Sequence, residues 1–270
     1  MSSYLITGAS RGLGFEFVRH LAQNPKNTVI GLVRNKAAAD LKAKEEGLHN
    51  FHMVEAQYTD LVSLKKAAEV VKSITGGALD YLINNAAVVS RVTGFKTLGD
   101  FDDDFEPLER DILESLEVNL IGVIKTINAF VTLIQNGKGK KVIALSTGMA
   151  DLFLINATEL AFAAPYAISK GALNVAIAKY NALYKQEGIL FLAISPGYVS
   201  TEGNTVAPPP EDAEKVATLV GKFIEYAPHF KSPLTPEESV TAVLSVMDKA
   251  SIANGDGGAF ISHLGNKQWL

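Results

Sequence analysis

The chain opens with a short apolar run, Tyr4-Leu5-Ile6, which is followed at once by Thr7-Gly8-Ala9-Ser10-Arg11-Gly12-Leu13-Gly14. Glycines placed after a strand-like run and at the start of a helical stretch are typical of a turn whose backbone N–H groups approach a pyrophosphate. The helix that follows directs the positive end of its dipole toward the same anion. Glycines also make ordinary strand-to-helix turns, so the rest of the chain has to decide the fold.

Short apolar runs rich in β-branched residues alternate with longer stretches of helical period. The predicted strands are residues 4–7, 28–33, 51–54, 81–84, 141–146, 190–195 and 258–262. The predicted helices include residues 14–24, 61–74, 110–133, 166–184 and 236–249. Apolar strands separated by helices are typical of a doubly wound parallel sheet. We therefore expect an α/β fold of the Rossmann type, with about seven strands and helices on both faces.

Composition favours a single domain over residues 1–270, since chains of this length often form one α/β unit. The net charge of −4 gives no reason to expect nucleic acid or an anionic membrane as partner, so a small molecule is expected. Without cysteine there is no disulfide or thiolate chemistry, and the five histidines show no ligand spacing, so no metal site is predicted. We expect no leader, no apolar run that could cross a bilayer, and a cytoplasmic location.

The longest irregular stretch covers about residues 201–210, where Gly203 and the prolines at 208, 209 and 210 oppose regular structure. Loops of this size near a site are often lids. We therefore predict a substrate loop or lid around residues 201–235.

Further motifs follow the glycine turn in a fixed order: Asn84-Asn85-Ala86, then Asn119, then Tyr166-Ala167-Ile168-Ser169-Lys170, then Pro196-Gly197-Tyr198-Val199-Ser200-Thr201. In this order and spacing the motifs resemble those of the short-chain dehydrogenase/reductase family, over essentially the whole chain. Ala87 departs from the family pattern, which keeps a glycine there. Within the family, residues 27–35 and 263–270 are most similar to fungal ketoreductases of the norsolorinic acid type and to the carbonyl reductases.

Tyr166 and Lys170 are four residues apart, which places both on one face of a helix. A fixed ammonium nearby favours a phenolate, so we expect Lys170 to bring the pKa of Tyr166 toward working pH. This predicts Tyr166 as general acid in carbonyl reduction and general base in the reverse direction. The resemblance implies that Lys170 also holds the nicotinamide ribose hydroxyls. An isolated pair of this kind would more simply be a core tyrosine and a solvated lysine.

The third catalytic position lies at Ser146 or Thr147. The resemblance implies a serine at the end of the fifth strand that donates to the substrate carbonyl, and aligning residues 141–147 puts Thr147 at that point. Neighbouring residues on a strand face opposite ways, so both hydroxyls cannot reach one carbonyl unless the strand has already ended. We favour Thr147, and the alternative for either residue is a hydroxyl that only caps a turn.

Asn119 is a poor helix former inside an apolar helix, so its amide should have partners. The resemblance implies that it helps to hold a water linking Lys170 to solvent; the alternative, compatible with the first, is an asparagine that fixes a helix kink. The resemblance also implies the other cofactor contacts, which are Gly8, Ser10, Arg11, Gly12, Leu13, Gly14, Asn85, Ala86, Ala87, Pro196, Gly197, Val199 and Thr201.

Cofactor selectivity depends on the charge at the end of the second strand. NAD-selective members place an acid there, whereas arginines accommodate a 2′-phosphate. Here the strand closes with Arg34-Asn35, and Arg11 lies inside the glycine turn, so NADP(H) is predicted. The adenine contact stays open, because Gln57 stands where relatives often carry an aspartate and Tyr58 and Asp60 follow it.

The segment between Thr147 and Tyr166 is long and apolar, and Tyr198 adds an aromatic wall, so a neutral, bulky and apolar or aromatic ketone or aldehyde is expected, as in polyketide metabolism. The predicted activity is NADPH-dependent carbonyl reduction. Alternatives are a non-catalytic NADP(H)-sensing protein and an NAD-dependent alcohol dehydrogenase, which Arg34 disfavours.

Helices at residues 110–133 and 166–184 are expected to pair with a second copy, as the resemblance implies, in a homodimer or homotetramer. Residues 172–178 carry Asn174 as their only polar side chain, which suggests burial nearly all round. Burial inside one subunit, and hence a monomer, is the alternative.

Overall fold

Seven parallel strands form one sheet in the order β3-β2-β1-β4-β5-β6-β7. The structure, a computed structural model, describes residues 2–90, 92–201 and 213–270. The strands are β1 (Ser3–Thr7), β2 (Thr28–Val33), β3 (His52–Glu55), β4 (Tyr81–Asn84), β5 (Lys141–Leu145), β6 (Leu190–Ser195) and β7 (Phe260–Ser262). The predicted doubly wound parallel sheet is thereby confirmed.

Helices cover both faces of the sheet. They are α1 (Gly12–Ala22), α2 (Lys36–Glu45), α3 (Leu61–Thr75), α4 (Glu106–Leu116), α5 (Gly122–Asn136), α6 (Leu152–Thr158), α7 (Ala164–Tyr184), α8 (Ala213–Tyr226) and α9 (Pro236–Lys249). A π turn, Glu117–Ile121, joins α4 to α5, and short 3-10 turns stand at Gly148–Ala150 and Lys185–Glu187.

Alternate residues of the central strands pack into two separate cores. Ile6, Ile143 and Ile194 face the side covered by α1 and α9. Leu5 and Val142 face the side of α3, α5 and α7. Burial on both faces explains why the strand sequences are continuously apolar rather than alternating.

The order of strands reverses between β1 and β4, because the chain first builds outward through β2 and β3 and then returns to the other side of β1. Ligands of open parallel sheets bind at such a reversal, beyond the carboxyl ends of the strands. The glycine turn after β1 and the Asn85 segment after β4 both lie there.

Several predicted boundaries need correction. Strand β3 begins at His52 rather than residue 51, β5 ends at Leu145 rather than 146, and β7 begins at Phe260 rather than 258. The apolar segment after Thr147 is not a plain loop, because it contains α6. In the predicted lid at 201–235, residues 202–212 lie outside the described part of the chain, and residues 213–226 form α8.

The continuous helical stretch Glu106–Asn136 has the length and apolar composition of a membrane span, contrary to the expectation from the sequence. Its apolar residues Val123, Ile127 and Phe130 are buried in the core. Core helices pass the same test of length and composition, and this stretch packs as one.

Candidate active site and cofactor cleft

The turn between β1 and α1 has a backbone that requires glycine. Gly8 and Gly12 have φ angles of +68° and +56°, a region that side chains disfavour. At Gly14 a Cβ would lie 2.3 Å from the carbonyl oxygen of Gly8, so any larger residue would force α1 away from the strand. The three glycines therefore bring the start of α1 close beneath the end of β1.

The segment after β4 holds this turn in place. The Thr7 hydroxyl accepts hydrogen bonds from the backbone N–H groups of Asn85 and Ala86, each at 3.0 Å. The Asn85 amide nitrogen donates to the carbonyl oxygens of Thr7 at 2.9 Å and Gly8 at 3.3 Å. Asn85 thus acts here as a brace for the glycine turn. Ala87 is exposed and does not adopt a positive φ, so the family's glycine is not needed at this point.

The N-terminus of α1 is suited to an anion. Arg11 stands at the N-cap in an extended conformation, no side chain caps the first turn, and no acidic residue lies in it. Ser10 and Arg11 are exposed, while Leu13 is half-buried. Thr201 lies close by, since a Cβ on Gly12 would come within 4.0 Å of its Cβ. Free helical N–H groups and the helix dipole together favour a phosphate group, so the turn fits a dinucleotide pyrophosphate.

Arg34 follows β2 as an exposed guanidinium that forms no ion pair within the described part of the chain. Asn35 caps α2 by accepting from the backbone N–H of Ala38 at 3.0 Å. Burial raises the pKa of the Tyr58 phenol, and the charge of Arg34 acts in the opposite direction, which places the two residues in one neighbourhood. The carboxylate of Glu55 accepts from the backbone N–H of Lys36 at 3.2 Å.

Helix α7 carries Tyr166 and Lys170 on one face. The Lys170 ammonium is 2% exposed, donates to the carbonyl oxygen of Leu145 at 2.7 Å and lies 5.9 Å from the centre of the Tyr166 ring. The Thr147 side chain lies near the Tyr166 hydroxyl, where it acts to lower the pKa of the phenol. The end of β5 and the first turns of α7 therefore bring the phenol, a second hydroxyl and an amine together.

The acid–base properties of this group differ from the expectation. Burial raises the pKa of Tyr166 to about 12, with the Thr147 side chain acting in the opposite direction. Burial also lowers the pKa of Lys170 to about 7. The predicted lowering of the phenol's pKa by a fixed ammonium is therefore not found, because burial favours the neutral forms of both the phenol and the amine. In this state Tyr166 keeps its proton, which is the form that a proton donor needs.

Ser146 and Thr147 point in different directions. Ser146 is buried, its backbone N–H donates to the Ile194 carbonyl at 2.8 Å, and its hydroxyl has no partner within the described residues. Thr147 caps the Gly148–Ala150 turn by accepting from the backbone N–H of Met149 at 3.3 Å. Since Thr147 also reaches Tyr166, it is the hydroxyl placed beside the phenol.

Asn119 lies fully buried in the π turn between α4 and α5. Its amide accepts from the Val88 backbone N–H at 2.8 Å and donates to the Val88 carbonyl at 3.0 Å and to the Ser169 hydroxyl at 3.0 Å. Ser169 in turn donates to the carbonyl oxygen of Tyr166 at 2.7 Å. Asn119 thus links the segment after β4 to the helical turn that carries Tyr166 and Lys170.

The segment after β6 forms the opposite wall. Gly197 has a φ of +85°, and a Cβ there would meet the His263 ring at 2.9 Å. Pro196 accepts from the Ser239 hydroxyl at 2.7 Å, and buried Val199 forms a parallel bridge with Leu234. These contacts fix the segment between α9 and residues 227–235.

Several residues near the site have partners that the sequence does not reveal. Tyr198 packs against Phe223 and Phe230, with ring centres 6.4 Å and 6.1 Å apart, and so forms an aromatic cluster with α8. Phe153 on α6 is 72% exposed. His263 and Trp269 reach the site from the end of the chain, and no motif marks either of them.

Comparison with known proteins supplies the family. Residues 3–212 match the family model for short chain dehydrogenase. The chain belongs to the short-chain dehydrogenase family. Its relatives include the short chain dehydrogenase virK of Hypocrea virens, at 48% identity, and the short-chain dehydrogenase/reductase AacuF of Aspergillus aculeatus, at 50% identity. Both alignments cover 100% of this chain and 100% of the relative.

A solved structure is similar over the same extent. The NADPH-bound carbonyl reductase from chicken fatty liver is 25% identical, with a TM-score of 0.77 that covers 100% of this chain and 99% of the other. These comparisons confirm the predicted family and make the protein an oxidoreductase of the short-chain dehydrogenase type, with a cleft for a nicotinamide cofactor. The finer likeness to norsolorinic acid ketoreductases stays a prediction.

Proposed function

We propose that the protein is an NADPH-dependent carbonyl reductase that acts on a neutral, bulky and apolar or aromatic ketone or aldehyde. One observation carries the proposal: a protonated, half-buried Tyr166 lies beside Thr147 at the carboxyl edge of the sheet, with the Lys170 ammonium 5.9 Å from its ring centre. Two hydroxyls that converge in this way can hold one carbonyl oxygen. The proposed direction is reduction, because a phenol that keeps its proton can give it to that oxygen.

Each side chain has a separate task in this proposal. Thr147 donates a hydrogen bond to the carbonyl oxygen and Tyr166 gives it a proton. Lys170 is assigned the ribose hydroxyls, as the family resemblance implies, and Asn119 supports the helical turn that carries both α7 residues. The nicotinamide, when bound, supplies the hydride, and the chain's part is to align the reactants and exclude water.

The preference for the phosphorylated cofactor rests on charge. Arg34 and Arg11 are both exposed at the glycine-turn end of the sheet, and no acidic residue directly follows β2. A 2′-phosphate gains charge-assisted hydrogen bonds from guanidinium groups, whereas two ribose hydroxyls would favour a carboxylate. The NADPH in the avian carbonyl reductase is consistent with this preference.

The proposed substrate class follows from the apolar walls near Thr147. Leu152 and Phe153 on α6 are exposed, and the Tyr198 cluster lies across the segment after β6. Exposed apolar side chains near a catalytic group favour an apolar ligand. Together with the resemblance to fungal ketoreductases, this suggests a role in polyketide or other secondary metabolism. Residues 201–235 are proposed as the cover of the substrate site.

Self-association is proposed through α4, α5 and α7. In the single chain, α7 is not buried on all sides as expected, since Val175 is 61% and Ile168 is 45% exposed. Leu113 on α4 and Ile121 in the π turn are also exposed. Exposed apolar faces of this kind are commonly covered by a second copy in a two-fold contact, so we propose a homodimer or homotetramer. The cytoplasmic location stays a prediction.

The test is a panel of ketones and aldehydes with NADPH, for the wild type and Tyr166→Phe. The substitution removes the proton but keeps the ring, so turnover should fall by roughly 10²- to 10⁴-fold while NADPH still binds. Tyr180→Phe is a matched control on the same helix, because its hydroxyl binds Asn128 at 2.8 Å instead. Near-normal turnover in Tyr166→Phe would overturn the proposed proton donor.

A further inference from the structure

Trp269 is the only tryptophan in the chain and lies 1% exposed against β7. Its indole stacks on Phe260, with ring centres 4.4 Å apart and planes 22° from parallel. The Lys267 ammonium lies 5.3 Å from the indole centre and 5.1 Å from the centre of the Phe260 ring. The indole therefore stacks on an aromatic ring of the sheet, and a cation of its own segment lies beside both rings.

Hydrogen bonds between residues close in sequence hold the segment that carries Trp269 in a turn. Ser262 donates through its backbone N–H to the carbonyl oxygen of Asn266 at 2.8 Å, and Gly265 donates back to Ser262 at 2.9 Å. The Asn266 side chain accepts from the backbone N–H of Gln268 at 2.8 Å. This turn reverses the chain directly after β7 and returns Trp269 to the carboxyl edge of the sheet.

Trp269 contacts the turn that follows Thr147. A Cβ on Gly148 would lie 2.6 Å from Cβ of Trp269 and 3.0 Å from its Cγ, so the backbone of Gly148 packs directly against the tryptophan. The backbone N–H of Gly148 donates to the hydroxyl of Ser195 at 3.0 Å. The residue next to Thr147 is thus fixed by a hydrogen bond to β6 and by the packed side chain of Trp269.

We propose that Trp269 is a positioning residue that sets the place of the Thr147 hydroxyl through Gly148. The inference rests on the proposed role of Thr147 in carbonyl reduction. A displacement of about 1 Å at a reacting group can cost on the order of 100-fold in rate, so a firm support behind the turn has a kinetic consequence. None of the Trp269 contacts described above is with Tyr166 or Lys170.

The test is a double-mutant cycle between Trp269→Ala and Thr147→Val, measured as kcat with saturating NADPH. In the chain that keeps Thr147, Trp269→Ala should lower kcat by about tenfold and leave the Kd for NADPH unchanged. In the Thr147→Val background, the same change should alter kcat by less than about twofold, because the group that Trp269 positions is already gone. Phe130→Leu, in the buried core of α5, is the control for general loss of packing.

The outcomes separate the two claims. If Thr147→Val keeps wild-type turnover, the proposed role of Thr147 fails and the inference about Trp269 fails with it. If Thr147→Val is impaired but Trp269→Ala lowers kcat equally in both backgrounds, only the role of Trp269 is overturned. A loss that Phe130→Leu reproduces would also overturn it.

Gly148→Ala covers the case in which the alanine variant of Trp269 does not fold. Gly148 does not have a positive φ, so alanine is strained there by side-chain contacts, mainly with Trp269 and, at 3.2 Å, with Cδ2 of Leu154. The added methyl should displace the indole and raise acrylamide quenching of the sole tryptophan, while kcat falls and NADPH affinity holds. Increased quenching with unchanged kcat would refute the positioning role.

Discussion

Thr147→Val and Ser146→Ala form a matched pair of hydroxyl deletions at the end of β5. Thr147→Val keeps the shape of the side chain but removes the hydroxyl beside Tyr166 and the proposed bond to the carbonyl oxygen. Removal of one donor to a developing oxyanion costs about 2.7–4 kcal/mol, or roughly 10²- to 10³-fold in kcat. Ser146→Ala removes a buried hydroxyl with no partner within the described residues, so kcat should stay within about twofold.

The assay is steady-state reduction of an accepted ketone, with NADPH binding measured separately by fluorescence. Thr147→Val also removes a cap of the Gly148–Ala150 turn, which is worth about 1 kcal/mol of stability, so melting curves accompany the kinetics. Thr126→Val is the control, because it deletes a buried hydroxyl bound to the Gly122 carbonyl at 2.8 Å. If Ser146→Ala is the more harmful change, the geometry argued for the third catalytic position is wrong.

Three further outcomes are expected. Arg34→Ala should weaken NADPH binding by roughly 10- to 100-fold and leave NADH binding nearly unchanged, as titration of both cofactors would show; equal binding of NADH and NADPH by the wild type would contradict this. Because burial lowers the pKa of Lys170 to about 7, the unfolded chain binds the extra proton between pH 7 and 10.5. Between pH 7 and 10.5, the free energy of unfolding of the wild type should therefore rise by up to about 1.4 kcal/mol per pH unit relative to that of Lys170→Met. Urea titrations without cofactor would measure this difference. A flat difference would show that Lys170 stays charged. Light scattering should give a multiple of the 28.9 kDa chain mass, and a mass of 28.9 kDa at all dilutions would refute self-association.

The sequence was sufficient for the central strands because they are apolar on both faces, whereas β3, which exposes His52 and Glu55, and the short β7 were predicted with shifted starts. It was insufficient for α2, where Lys36–Glu45 buries only Ala39 and Ala43 and therefore shows no apolar period. It also hid α6, because the sequence shows only a long apolar segment there. Short helices of this kind are stabilised by packing more than by their own pattern.

The site was predictable where one motif holds all partners and not where partners are distant in the chain. The spacing of Tyr166 and Lys170 placed both on one helical face, yet the effect of burial on their pKa values depends on the packed structure. Asn119 was expected to have amide partners, but Val88 and Ser169 lie 31 and 50 residues away. Trp269 packs against Gly148 although the two residues are far apart in the chain, and no spacing rule connects them.

Transfer of deuterium from NADPH labelled on its nicotinamide ring tests the central claim most directly. The wild type and Tyr180→Phe should place the label on the former carbonyl carbon of an accepted ketone. Tyr166→Phe should bind the labelled NADPH equally well and form the labelled alcohol at least about 100-fold more slowly. Labelled alcohol produced by Tyr166→Phe at the wild-type rate, or no labelled alcohol from the wild type with any ketone or aldehyde, would contradict carbonyl reduction with Tyr166 as the proton donor.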